Sequence, residues 1–416
     1  MKGDLFIPNG SVEGTVDAYP SKSYAQRILL LGLMSRSGIE VKNYGKCSDS
    51  EAVKSSVISL GAGIEGEDRK FVIKGPLKFN NSDINCCQSG LCMRMFAPVL
   101  SLSGEDFRLF GDESLLKRSN EHIPEILGQL GAECSISGRY LHVKGPLKSG
   151  IVKINKPVGS QLVSGLLYAL SVVEGDSKIL ITDPVSVSYI RMTADLLNRF
   201  GAGINMVSDG EISISGGRQF CGGSITVEGD WSSAAFFLVA GAIAGRVKVS
   251  GLNEKSIQPD RAILDYLSGC GARVSTGRSS VEVSGSELKG FSADIEDHPD
   301  LFIPLVILAL NCNGESRIYN YGRLKHKESD RPAAIIDELL RAGAKISQKE
   351  NFISIEKSSL SLTEMRTYDD HRLAMGFATA ALTSTRGLWI KDPSCVNKSF
   401  PLFFDMLESI RSGREE

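Results

Sequence analysis

The sequence predicts an α/β protein assembled from repeated units and divided into two domains. Three observations lead there. A chain of 416 residues is too long for one ordinary core and long enough for two. A helix-like apolar stretch ending in Gly-Ala, followed by a strand-like stretch, recurs five times, at Gly61, Gly131, Gly201, Gly271 and Gly343. The intervals between these glycines are 70, 70, 70 and 72 residues, a regularity that marks repeat architecture.

Each glycine follows an amphipathic helix. Before Gly343, the residues Ile335, Ile336, Leu339 and Leu340 recur at i, i+4 spacing and are expected on one buried face. A glycine just past the last turn reads as a helix stop, because it takes the left-handed conformation without a Cβ clash. A β pair follows, as where 133–137 turns through Gly138-Arg139 into 140–143. One unit of about 70 residues therefore holds helices and several short strands, too long for the common solenoid repeats. A last helix near 403–410 stands where a sixth unit ends. Six units split three and three would make two similar domains facing a cleft, a preferred place for ligands, although spacing alone does not impose that division.

Composition excludes more than it assigns. The chain is 42% hydrophobic and 23% charged, with 47 basic and 49 acidic residues and a net charge of -2. Nothing global points to nucleic acid or an anionic membrane. The N-terminal residues show no signal-peptide or transit pattern, and the longest apolar run, 234–244, is too short to span a bilayer. Nine cysteines without a CxxC pair fit a reduced cytoplasmic chain. Cys86, Cys87 and Cys92 are expected as buried thiols rather than a metal cluster, and the five histidines show no ligand spacing, so no metal is expected. The segment 61–66 matches G-x-G-x-x-G, but it follows a helix opened by a capping box at Ser48 and Glu51. A dinucleotide fingerprint needs the reverse order, strand then helix.

Chemistry is concentrated at helix starts. Ser21-Lys22-Ser23 with Arg27, Ser89-Gly90 with Arg94, Lys327-Glu328 with Arg331, Asp370-His371-Arg372 and Asn397-Lys398-Ser399 each precede or open a helix. Cations there oppose the helix dipole, and the repetition of a locally unfavourable choice points to function. A bound anion resolves it, since free N–H groups beside Lys or Arg make phosphate and carboxylate sites; solvated surface cations are the plainer reading. Gly159-Ser160-Gln161 opens an apolar helix, either as a phosphate-binding turn or as an N-cap. Asp300 and Glu328 are the acidic candidates, with a helix cap and a salt-bridge partner as their structural alternatives.

At these residues the chain resembles EPSP synthases along almost its whole length. The SKS-x-x-x-R segment appears as Ser21-Lys22-Ser23 with Arg27. The R-L-x-x-KESDR segment appears as Arg323 to Arg331, DHR-x-AM as Asp370 to Met375, and K-[ST]-F-P as Lys398 to Pro401. All four in order are far more specific than any one. The resemblance implies two domains of three βαβαββ units each, in the inverted α/β barrel of enolpyruvyl transferases. It places one domain at 14–228 and the other at 1–13 plus 229–416. It also implies transfer of the enolpyruvyl group of phosphoenolpyruvate to the 5-hydroxyl of shikimate 3-phosphate, without a cofactor, in a monomer.

Carried over residue by residue, the resemblance assigns Lys22, Ser23, Arg27, Gly159, Ser160, Gln161, Ser186, Tyr189, Asp300, Arg323 and Lys327 to shikimate 3-phosphate. It assigns Lys22, Gly90, Arg118, Gln161, Arg331, Arg372 and Lys398 to phosphoenolpyruvate, and Asp300, Glu328 and Lys22 to proton transfer. On this reading Arg27→Ala weakens substrate binding and leaves the fold intact. The chain departs from the family pattern at Leu91 and Met95, where Thr and Pro are usual, at Ser119 (often Pro), at Gly159 (commonly Ser) and at Arg323 (Asn in some members). These changes leave the reaction class intact and bear on inhibitor response. Two rival readings are an enolpyruvyl transferase acting on a UDP-amino sugar, which would use a loop Cys as acid, and a non-catalytic repeat protein. A nicotinamide oxidoreductase rests only on the discounted glycine motif.

Overall fold

The computed structural model describes residues 3–411 apart from 80, 117, 119, 158, 362 and 363. The chain forms two compact units, an insert unit, Pro20–Val227, and a terminal unit, Met1–Tyr19 with Glu228–Glu416. The first crossing falls after Tyr19 rather than near residue 14. The reason is the strand Val12–Asp17, which runs parallel to Gly245–Ser250 over its whole length and so keeps residues to 17 in the terminal unit.

The insert unit carries helices α1 (Lys22–Met34), α2 (Ser48–Ser59), α3 (Gly90–Leu100), α4 (Glu113–Leu116), α5 (His122–Gly128), α6 (Gln161–Val172) and α7 (Val187–Asn198). The terminal unit carries α8 (Trp231–Ala244), α9 (Ile263–Gly269), α10 (Phe302–Ala309), α11 (Arg331–Arg341), α12 (His371–Ala381) and α13 (Phe403–Ser409). Five of the sheets have four strands and repeat one pattern. An edge strand pairs parallel with the next, which pairs antiparallel with the far strand of a hairpin. In one of them, Asp83–Asn85 runs parallel to Asp106–Phe110, which meets Tyr140–Lys144, which meets Glu133–Ser137. The parallel pair is joined through a helix, as parallel strands require. The β pair read from the sequence at 133–143 is this hairpin.

Besides the pairing of Val12–Asp17 with Gly245–Ser250, two more units are completed by distant chain. Ile39–Lys42 takes its parallel neighbour from Gly223–Thr226, at the end of the insert unit. The sixth unit lacks a hairpin: Leu388–Ile390 pairs parallel with Glu364–Met365 and antiparallel with Leu5–Ile7 from the N-terminus, a three-stranded sheet. The fold is mixed α/β with several small sheets, and the described residues form no closed barrel.

Hydrophobic pattern decides where each helix lies. In α3, α10 and α12 every residue is buried; α10 is apolar all round and has no face for water, whereas α3 and α12 bury Arg94, His371 and Arg372 as well. In the insert unit α3 packs on α1 and α6, and in the terminal unit α8, α10 and α12 pack on one another. Glycine permits the closest approach: a Cβ at Gly165 on α6 would lie 2.5 Å from the Met95 carbonyl oxygen on α3. The amphipathic second helices cover the outside. Leu340, expected on the buried face of α11, is 46% exposed, whereas Ile335 and Leu339 are fully buried; the apolar stripe is narrower than four residues. The five repeat glycines all follow their helices with positive φ, from 82° to 98°. The capping box opening α2 lies one residue earlier than the sequence suggested, between Cys47 and Ser50. The 61–66 motif follows α2 and enters the strand Gly63–Glu67, the order that excludes dinucleotide binding. Among the described residues no helix is long and apolar enough to cross a membrane.

Candidate active site

Three helices that start inside the insert unit bring the sequence-predicted residues together. Lys22 is the first residue of α1, Gly90 the first of α3 and Gln161 the first of α6. Lys22 Nζ lies 3.0 Å from Asp49 Oδ2, on the first turn of α2. The sequence reading missed Asp49; its neighbours look like a cap, and only the fold places its carboxylate on Lys22. Gly90 sits between two other candidates, since a Cβ there would lie 3.1 Å from Arg118 Nη1 and 3.6 Å from Gln161 Oε1. Arg94, four residues into α3, donates from Nη1 to Gln161 Oε1 at 2.7 Å and from Nε to Asn120 Oδ1 at 3.0 Å. Ser119 lies outside the described residues.

Arg27 is wholly buried, which overturns the reading of it as a solvated surface cation. It donates from Nε to Thr193 Oγ1 (2.7 Å), from Nη1 to the Ser23 carbonyl (2.8 Å) and from Nη2 to Ser164 Oγ (3.4 Å). These partners come from α7, α1 and α6, and among the described residues no carboxylate pairs with it. Burial lowers its pKa, an effect the Tyr168, Tyr189 and Tyr24 hydroxyls only partly offset. A buried cation without a counter-ion is costly, and an anionic ligand would relieve it. The structure amends the expectation that Arg27→Ala spares the fold, because the substitution also removes three hydrogen bonds and leaves a cavity. Arg27→Ala is expected to lower the melting temperature and to weaken shikimate 3-phosphate binding at least tenfold, the loss of one charged hydrogen bond. Calorimetric titration showing wild-type affinity would confine Arg27 to structure.

Ser160 occupies the cap position of α6 without a side-chain capping bond, so the plain N-cap reading fails and its buried hydroxyl remains for another partner. A Cβ at Gly159 would meet nothing within 4 Å. Ser186 takes a left-handed conformation (φ 53°) ahead of α7, and Tyr189 follows on its first turn. The left-handed turn is strained for a non-glycine residue, which is a feature that concentrates at functional sites.

The second group lies in the terminal unit, around Asp300. This residue sits in the 3-10 turn Pro299–Leu301 ahead of α10, and its carboxylate faces cations from three segments. Arg372 Nη2 is 2.9 Å from Oδ2, while Arg331 Nη1 (3.3 Å) and Lys327 Nζ (3.5 Å) approach Oδ1. Burial alone would raise the Asp300 pKa, but Arg372, Lys327 and Arg331 outweigh it and hold the carboxyl well below its ordinary value. Arg331 also bonds Glu328 Oε2 at 2.8 Å and Asp370 Oδ2 at 2.9 Å. Burial opposes its charge, yet Asp370, Glu328 and Asp300 together raise its pKa. Burial lowers the Lys327 pKa, and Asp300 restores it only in part.

Two of the basic segments read from the sequence precede their helices, α11 and α13, as expected, and also stand at the end of a 3-10 turn. Lys327 caps the C-terminal end of the 3-10 segment Gly322–His326 and Lys398 ends Pro393–Lys398; cations at a C-terminal end need no special explanation. Lys398 is nevertheless buried, at 4% exposure. Arg323 donates to the Glu296 carbonyl. Asp370, quoted in its motif but given no role, caps α12 through the Arg372 N–H at 2.9 Å while holding Arg331. It thus ties two candidate phosphoenolpyruvate ligands to one carboxylate.

His122 opens α5 near Arg94. Burial, with Arg94 adding to it, pushes its pKa down to about 4. The unfolded chain, with the ordinary value near 6.5, binds the proton first as pH falls. Stability is therefore full above 6.5 and declines through the window down to about 4. Discounted for partial exposure, the loss is about 1–2 kcal/mol. His122→Gln should flatten the dependence of melting temperature on pH across this window; parallel curves for both proteins would contradict the assignment.

A family model for EPSP synthase (3-phosphoshikimate 1-carboxyvinyltransferase) matches residues 7–407. The chain belongs to the EPSP synthase family. It is 34% identical over 411 residues to the 3-phosphoshikimate 1-carboxyvinyltransferase of Clostridium kluyveri, covering 97% of this chain and 96% of that one. It is 35% identical over 407 residues to the enzyme of that name from Thermococcus kodakarensis, covering 98% and 99%. The solved EPSP synthase from Acinetobacter baumannii superposes with a TM-score of 0.83 at 25% identity, over 98% of each chain. The enolpyruvyl transferase NikO from Streptomyces tendae, at 14% identity and a TM-score of 0.78 over 98% and 97%, shares the fold alone. Membership of the EPSP synthase family disfavours both the UDP-amino sugar and the non-catalytic readings. Cys86 and Cys92 are also fully buried, and burial raises the Cys86 pKa well above its ordinary value, which unsuits that thiol for an exposed loop acid.

Proposed function

We propose that this chain transfers the enolpyruvyl group of phosphoenolpyruvate to the 5-hydroxyl of shikimate 3-phosphate, using the two residue groups just described. The observation that carries this reading is the buried cation Arg27, which lacks a carboxylate partner among the described residues and donates to the Ser23 carbonyl and the Ser164 and Thr193 hydroxyls. Such a cation suits a substrate bearing both phosphate and carboxylate. Ser23, Ser160, Gln161, Ser186 and Tyr189 would surround that substrate with Lys22. Arg118, Arg331, Arg372 and Lys398 would hold phosphoenolpyruvate, with Gly90 leaving room beside Arg118.

The chemistry asks for proton transfers in both the addition and the elimination. The 5-hydroxyl oxygen attacks C2 of the enolpyruvyl group and loses its proton, while C3 gains one. The resulting tetrahedral ketal then expels inorganic phosphate, a C–O bond breaking as the enol double bond re-forms with loss of a C3 proton. Preorganised cations stabilise the charge that develops on phosphate and carboxylate without reorganising during reaction. Asp300, held ionised by three cations, is suited to orient Arg331 and Arg372. Glu328 bonds Arg331 from the short segment between Lys327 and Arg331, and we assign it the proton transfers, with Lys22 as the second candidate.

Mixing the protein with phosphoenolpyruvate and shikimate 3-phosphate should release inorganic phosphate, with neither substrate alone sufficient. Phosphate release that ignores shikimate 3-phosphate would replace the transferase reading with a phosphatase.

A further inference from the structure

We propose that Asn120 is a positioning residue for the transfer: through Arg94 it fixes the Gln161 amide with its NH2 group, not its oxygen, turned toward the substrate anion. The inference rests on the reading of Gln161 as a substrate ligand.

The argument follows the donors. A guanidinium only donates, so Arg94 Nη1 at 2.7 Å commits the Gln161 amide oxygen. The opposite end of that amide is then an NH2 group, a donor suited to phosphate or carboxylate. Gln161 left to itself has no such preference, because its terminal torsion is broad and roughly two-fold. Were the amide reversed, its oxygen would meet an anionic substrate and repel it.

Arg94 is itself held by Asn120. Its Nε donates to Asn120 Oδ1 at 3.0 Å, and the Asn120 amide is fixed in turn by an Nδ2 contact to Met93 Sδ at 3.7 Å. Asn120 and Arg94 are 8% and 9% exposed, so water is a poor substitute for either partner. The Asn120 backbone carbonyl accepts from Ile123 N at 3.0 Å, anchoring the side chain at the entry to α5. The relay thus runs from the start of α5 through α3 to the first residue of α6. Gln161 ends it beside Gly90 and Arg118, the residues given to phosphoenolpyruvate. Arg94 was read from the sequence only as a cation at a helix start, and Asn120 was not among the candidates.

The test is a double-mutant cycle on the full chain, read as KM and kcat for phosphoenolpyruvate at saturating shikimate 3-phosphate, with melting temperatures alongside. Asn120→Leu removes the acceptor and should raise KM roughly 3- to 30-fold with kcat changed by less than about twofold. Asn120→Asp keeps an acceptor oxygen on Arg94 Nε and should hold KM near the wild-type value. Gln161→Leu should raise KM at least as much as Asn120→Leu. In its background Asn120→Leu should add nothing further, because the two act as one unit. Multiplicative effects, or an unchanged KM in Asn120→Leu beside a raised KM in Gln161→Leu, would overturn the positioning role. An unchanged KM in Gln161→Leu would instead overturn the reading of Gln161 as a ligand, and the inference with it. If Asn120→Leu does not fold, Asn120→Ala deletes the same acceptor with less bulk and carries the same expectations.

Discussion

Glu328→Gln is expected to lower kcat by about 10²–10⁴-fold while shikimate 3-phosphate binds nearly as before. The carboxylate stands 12% exposed on the segment between Lys327 and Arg331, with Oε2 2.8 Å from Arg331 Nη2. Glutamine keeps the side-chain shape and an acceptor oxygen for that bond, so the fold and the Arg331 position should survive. It cannot carry a proton between the 5-hydroxyl and the enolpyruvyl carbon. Binding should change little, because a carboxylate repels both anionic substrates and its removal costs them nothing. Single-turnover rates with titration calorimetry on the same variant separate the two effects. Near-normal turnover would reduce Glu328 to an orienting partner of Arg331 and pass the proton transfers to Lys22 or Asp300.

The comparison of Glu328 with Asp300 shows what the sequence could and could not reveal. Both were visible as carboxylates ahead of helices, but their environments depend on segments far apart in the chain. Asp300 gathers Lys327, Arg331 and Arg372, so its ionised state follows from tertiary structure. The same holds for Arg27, whose helical position was legible from spacing but whose burial depends on Ser164 and Thr193. Asp49 and Asp370 were hidden for another reason: Asp49 lies in the first turn of α2 and Asp370 caps α12, places where an acidic residue is ordinary, and nothing local distinguishes that from a carboxylate that also holds a cation.

Local signals were read well where the chain itself enforces them. A glycine past a helix must take positive φ, so the five repeat glycines marked true helix ends. The hairpin at 133–144 was legible because Gly138-Arg139 interrupts two short strands. The sixth unit was not, since its third strand, Leu5–Ile7, comes from the opposite end of the chain. Pattern within a window carries no information on such a pairing. Leu340 illustrates the remaining limit, because periodicity finds a helical face without fixing how wide a stripe its neighbours cover.

Arg331→Met should destabilise the terminal unit by about 3–5 kcal/mol, the cost of breaking a buried ion pair from one side. The guanidinium is 1% exposed and reaches three carboxylates: Asp370 at 2.9 Å, Glu328 at 2.8 Å and Asp300 at 3.3 Å. Methionine fills part of the volume but leaves those carboxylates with less positive charge, and Asp370 is fully buried. Arg331→Lys should fall between the two proteins, because an ammonium keeps the charge and loses the fork that bonds Asp370 and Glu328 together. Acid supplies the sign. Asp300 has a depressed pKa in the folded protein, so its contribution is present above the ordinary carboxylate range and is lost as pH falls. The stability gap between wild type and Arg331→Met should therefore be widest near neutral pH and narrow on acidification. Denaturant unfolding at several pH values measures it. A gap that stays constant across pH would mean that methionine costs packing alone, and that Arg372 and Lys327 suffice to hold the carboxylates ionised.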